Sequence, residues 1–141
     1  MSTWGRNNEE QSPKKNWSLE EARGKLETFC SYQERCAWEL RRKLFEKGIQ
    51  GKAVDTILTE LEASGFVDEE RFARSYARGK FRIKKWGRAR IRQELKLREI
   101  SASTIQLGLS EIDGEEYYAT LEREAEKKWE KTKETDAYKK R

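Results

Sequence analysis

The sequence predicts an all-α protein built of tandem three-helix repeats, two complete units followed by the first helix of a third, in an extended and curved array. Three observations carry this expectation. Only 35% of the 141 residues are hydrophobic while 40% are charged, a proportion that suits helices around a thin core better than a compact globule. Apolar residues recur at i, i+3, i+4 and i+7 between recognisable helix starts and stops. A shift of 51 residues lays the apolar positions of one half of the chain on those of the other.

Taken in order, residues 1–17 (MSTWGRNNEEQSPKKNW) are polar, hold the only proline, Pro13, and read as a flexible N-terminal arm. They lack the apolar core of a signal peptide, and no apolar run reaches the length of a membrane span, so the chain is expected in the cytoplasm with no membrane partner. Ser18-Leu19-Glu20-Glu21 is a capping box, which starts a first helix over about residues 19–30. Ser31-Tyr32-Gln33-Glu34 repeats the pattern and predicts a second helix following at once. That helix carries Leu40 and Leu44 and stops at Lys47-Gly48, where glycine can adopt the left-handed closing conformation. A third carries Val54, Ile57, Leu58 and Leu61 and closes at Gly65, after which Asp68 caps a fourth from Glu69. A fifth is expected from about Gly87 to Arg98. The last begins near Glu115 and runs through Tyr118, Leu121, Ala125 and Trp129 before the chain fades into KTKETDAYKKR.

Under the 51-residue shift Leu40 and Leu44 fall on Ile91 and Leu95, Ile49, Val54 and Leu58 on Ile100, Ile105 and Leu109, and Leu61 on Ile112. Apolar positions match while surface positions drift, as stacked repeats require. The expected division is an arm over 1–17, repeat 1 over 18–66, repeat 2 over 67–113, and an incomplete third repeat with a basic tail over 114–141.

Composition also bounds the chemistry. The chain contains no histidine, and its two cysteines, Cys30 and Cys36, cannot by themselves supply a usual zinc site; they read as reduced residues near a helical core. Without a Ser-His or Cys-His pair, a glycine-rich phosphate loop or paired carboxylates, the chain is expected to be no enzyme and to use no cofactor or metal.

Charge is the most informative property. Residues 78–98 hold ten Lys or Arg against the single acid Glu94, a local charge of +9, while the whole chain carries +5. Solvated helices usually intersperse the two signs, so this asymmetry favours a polyanionic partner over a merely wet face. Ile91 and Leu95 share one helix face with the stem of Arg98 beside them, and Arg88, Arg92 and Lys96 form a separate row expected to face outward, one residue per turn. Lys80 and Lys84 are similarly spaced. Phe81 takes the place of Cys30 in the first unit and reads as core, whereas Trp86 fits a packed hinge and an exposed stacking ring equally well. The candidate contact residues are Lys80, Lys84, Lys85, Trp86, Arg88, Arg90, Arg92 and Lys96.

Trp86-Gly87-Arg88-Ala89-Arg90-Ile91-Arg92-Gln93-Glu94-Leu95, preceded by Phe72-Ala73-Arg74-Ser75-Tyr76 and followed by Ile100, resembles the signature of the RecX family of bacterial recombination regulators. Gly65-Phe66-Val67-Asp68-Glu69-Glu70-Arg71-Phe72-Ala73 resembles that family's junction between its first and second repeats, and the likeness covers about residues 19–125. It implies tandem three-helix repeats, usually three, and a partner: the RecA filament on single-stranded DNA, bound so as to reduce ATP hydrolysis and strand exchange in DNA repair and recombination. It implies single-stranded DNA as a partner directly or through that filament, and no cofactor; a monomer is expected. The alternative is a sequence-nonspecific nucleic-acid-binding module acting without RecA. Two departures stand out: Glu99 occupies a position where the family often has glycine, and most of a third repeat is missing.

Overall fold

The computed structural model describes residues 16–139, and among them there are seven helices and no strand. Two compact units divide the chain, one through Phe72 and one from Ala73 onward. Among the described residues no helix is long and apolar enough to cross a membrane.

The first unit contains α1 (Leu19–Tyr32), α2 (Ala37–Glu46) and α3 (Lys52–Ala63). The capping box expected at Ser18 is formed: its hydroxyl oxygen accepts the Glu21 N–H at 3.2 Å and the Glu21 carboxylate accepts the Ser18 N–H at 3.1 Å. The second box forms elsewhere. No helix starts at Ser31, whose hydroxyl donates back to the Thr28 carbonyl while α1 continues to Tyr32. Instead Cys36 is the N-cap of α2, with Glu39 accepting its N–H at 3.3 Å. The difference is physical: Cys36 is fully buried, and burial of that side chain decides where the chain turns.

Leu26, Leu40, Leu44, Ile57, Leu58 and Leu61 form the centre of this unit's core, joined by Ala22, Ile49, Val54 and Val67. Trp17 also packs against the core, and its N–H donates to the Lys47 carbonyl at 3.0 Å. The arm expected over residues 1–17 therefore stops short of Trp17, because a large ring next to an apolar surface gains more by burial than by solvation. Residues 1–15 of that arm lie outside the described residues. Helix α2 ends as expected, with Gly48 at φ +85° and the Ile49 N–H reaching the Leu44 carbonyl at 2.9 Å.

Helix α4 (Glu69–Arg82) starts at Asp68, whose carboxylate accepts the Arg71 N–H at 3.0 Å. The second unit continues with α5 (Arg88–Leu97), α6 (Ala102–Leu109) and α7 (Gly114–Lys139). Its buried residues include Ala73, Ala77, Phe81, Ile91, Leu95, Ile100, Ile105, Leu109 and Ile112. Each sits 51 residues after a position that is buried or packed against the core in the first unit: Ala22, Leu26, Cys30, Leu40, Leu44, Ile49, Val54, Leu58 and Leu61. Leu26 with Cys30 becomes Ala77 with Phe81, so volume lost at one site is regained one turn away. The repeat extends to an ion pair, since Arg23 binds Glu60 in the first unit and Arg74 binds Glu111 in the second.

Glu99 does not blunt the end of α5. It adopts φ +60° and the Ile100 N–H reaches the Leu95 carbonyl at 3.2 Å, the same closure that Gly48 gives α2. Tertiary burial of Ile100, the counterpart of Ile49, holds a non-glycine residue in a conformation that costs roughly 1–2 kcal/mol.

Candidate functional site

The basic stretch lies at the end of α4, in the turn after it, and on α5. At the end of α4 the Lys85 N–H bonds the Phe81 carbonyl at 3.1 Å, Lys85 itself takes φ +61°, and the Trp86 N–H returns to the Lys80 carbonyl at 3.1 Å. This left-handed closure folds Trp86 back onto the helix it has just left, so that its ring meets Tyr76 edge-on, 6.4 Å between centroids and 62° between planes.

Cations gather on this aromatic pair. The Lys80 ammonium lies 5.0 Å from the Trp86 ring centre and 5.3 Å from that of Tyr76. The Arg90 guanidinium lies 4.0 Å over Trp86, and that of Arg98 lies 5.0 Å from Tyr76. The first unit carries the same brace with its chemistry exchanged: Arg35, the counterpart of Trp86, lies 3.7 Å over Phe29, the counterpart of Lys80, and donates to the Phe29 carbonyl at 3.3 Å. Ring and cation trade places across the repeat, while the contact between the two positions persists. Trp86 is accordingly half-buried in a hinge brace, the packed-hinge side of the two readings its sequence position allowed.

The remaining basic residues divide by their partners. Arg74 and Arg78 both reach Glu111, at 3.1 and 3.2 Å, Arg82 reaches Glu116 at 3.8 Å, and Arg98 reaches Glu94. Arg88 departs from the outward row expected of it. Half-buried, it lies 4.4 Å over the Tyr117 ring with a guanidinium nitrogen 3.5 Å from the Ile112 carbonyl, and its backbone N–H faces the Tyr117 hydroxyl at 3.4 Å. A ring and a carbonyl at the start of α7 offer this side chain better company than water, so it serves packing rather than contact with a partner.

Lys84, Lys85, Arg90, Arg92 and Lys96 are exposed, and none makes an ion pair among the described residues. They are the part of the +9 stretch available to an external anion. Exposed cations without internal ion pairs suit a phosphate chain or a line of acidic side chains, and the guanidinium of Arg90 is positioned by the Trp86 ring 4.0 Å away.

Three residues that organise this region were given no role from the sequence: Tyr76, Glu111 and Tyr117. Tyr76 stands one turn before Lys80, an i, i+4 spacing that could have marked it. Glu111 is marked only by the repeat, as the counterpart of Glu60.

Comparison with known proteins is consistent at every level. Residues 22–61 match the family model described as RecX, first three-helix domain, and residues 68–109 match RecX, second three-helix domain. Curated relatives named Regulatory protein RecX include one from Clostridium perfringens (strain SM101 / Type A), 34% identical over 103 residues, which are 72% of this chain and 48% of the relative. Another from Pseudomonas fluorescens (strain SBW25) is 36% identical over 60% of this chain and 53% of its own length, and one from Lactobacillus johnsonii is 30% identical over 64% and 33%. The chain thus spans between a third and about half the length of these relatives. A crystal structure of regulatory protein RecX superposes with a TM-score of 0.67 at 26% identity, covering 74% of this chain and 53% of that one. RecX from Lactobacillus salivarius shares the fold, with a TM-score of 0.67 at 20% identity over 77% and 71%.

Proposed function

This chain belongs to the RecX family of regulatory proteins, and from that membership we propose that it regulates the RecA recombinase, binding the RecA filament on single-stranded DNA in the cytoplasm and reducing its ATP hydrolysis and strand exchange during repair and recombination. The observation that carries the reading is the set of exposed cations Lys84, Lys85, Arg90, Arg92 and Lys96, without ion-pair partners among the described residues, of which Arg90 lies over the Trp86 ring. A protein–DNA filament presents acidic side chains and phosphates together, and cations free of internal ion pairs match both.

The test is RecA's DNA-dependent ATPase on preformed filaments with this protein added in substoichiometric amounts. We expect inhibition at ratios too low to coat free DNA. Combined reversal of Arg90, Arg92 and Lys96 to Glu should weaken inhibition at least tenfold, equivalent to about 1.4 kcal/mol, with helix content unchanged. Arg88 is left out of that variant, because its reversal would disturb Tyr117 and the fold. Inhibition that appears only when the protein saturates free DNA would replace this reading with that of a nonspecific nucleic-acid module, for which the same cations would act by phosphate neutralisation alone.

A further inference from the structure

We infer that α7 is a self-association surface and that its apolar stripe is covered by the same stripe of a second copy of this chain, packed antiparallel.

Within the second unit only the first turns of α7 are anchored. Tyr117 meets Phe81 at 5.9 Å between ring centroids and Thr120 is buried, whereas every residue from Ala125 to Glu134 is exposed. A helical segment of that length without tertiary packing is marginal in water. Yet it carries one continuous apolar stripe at helical spacing, Tyr118, Leu121, Ala125 and Trp129, with Tyr118 66% and Trp129 61% exposed. An indole that exposed on a regular stripe marks an interface.

Charge says which occupant. From Glu115 to Glu126 the helix carries five Glu and one Arg; from Lys127 to Glu134 it carries four Lys and two Glu. An acidic first half and a basic second half complement each other when two copies run in opposite directions about a two-fold axis. The register follows from size and sign together. Trp129 of each copy lies over Ala125 of the other, large on small, and this places Glu122 opposite Lys133 and Glu124 opposite Lys131, on the two flanks of the stripe and twice each. A parallel pair would set like charges side by side. The expected monomer is therefore the dilute form of the chain.

Sedimentation of the full 141-residue protein over a wide concentration range tests this. We expect the mass to rise with concentration from one chain to two, with a gain in helix content. Trp129→Glu, on an exposed position, should leave thermal melting unchanged at concentrations where the protein is a single chain and remove the dimer. The pair Lys131→Glu with Lys133→Glu should do the same, as should Glu122→Lys with Glu124→Lys. Mixing these two charge variants should restore a dimer holding one chain of each. A single-chain mass at every concentration overturns the inference, as does a dimer that survives all three variants or a mixture that fails to pair. Trp129→Glu weakening RecA inhibition in a chain that stays monomeric would also overturn it, by making the stripe's occupant another protein.

Discussion

Two non-glycine positions of the second unit carry backbone strain that their chemistry does not relieve. Lys85 and Glu99 stand in left-handed conformations, at φ +61° and +60°, where the first unit uses glycine at the counterpart of the second, Gly48. Lys85→Gly and Glu99→Gly should each stabilise the protein by about 1 kcal/mol, measured by chemical denaturation, since glycine adopts this region without penalty. Glu69 is a second reservoir. Burial pushes its carboxyl above the ordinary 4.5, against the pull of the Ala37 N–H that it accepts, and one of its oxygens has no hydrogen-bond partner. Because the folded value is raised, the native state holds the proton more tightly, and stability declines as pH rises from the ordinary value through the folded one. Glu69→Gln should therefore raise the melting temperature at pH 7, and this advantage should vanish below about pH 4.5. In contrast, Arg71 is held more strongly protonated by its 2.7 Å bond to Glu34, which ties the turn before α2 to the start of α4. Burial likewise raises the Cys30 thiol, which suits an unreactive cysteine beside the core.

Among the helix ends, the caps of α1 and α4 and the stops of α2 and α3 were legible because they depend on residues within one turn. The start of α2 was not: Ser31 and Cys36 both precede a Glu by three, and only packing of Cys36 chooses between them. Helix pairs are equally tight. A methyl group on Gly108 of α6 would stand 2.8 Å from the Ala73 carbonyl oxygen of α4, which is backbone and cannot swing aside. Gly108→Ala should consequently cost about 1–3 kcal/mol in urea denaturation, although alanine is the better helix former. The repeat had not marked that glycine, because its counterpart in the first unit is the larger Ile57, itself buried.

On the scale of the whole molecule, the charge excess is smaller in effect than in count. Four of the ten basic residues between 78 and 98 are engaged internally, Arg78, Arg82 and Arg98 by acids and Arg88 by Tyr117, while Lys80 sits on two rings. If the five exposed cations contact a single strand directly, the logarithm of the binding constant should fall with the logarithm of salt with a slope of about −3.5, which equilibrium binding at several salt concentrations measures. A slope near −6 would mean that the four engaged arginines leave their partners to bind.

The helical class, the 51-residue repeat, the buried set that both units share and the existence of a charged surface can be read from residue order, because local spacing and burial leave their pattern there. Tertiary structure alone decided which charges are available. Glu111 lies 37 residues from Arg74 and Tyr117 lies 29 from Arg88, and no periodicity records a contact at those distances. The same holds for Trp86, whose role as a brace followed from a left-handed turn at a lysine, and for α7, whose stripe was plain in the sequence but whose exposure was not.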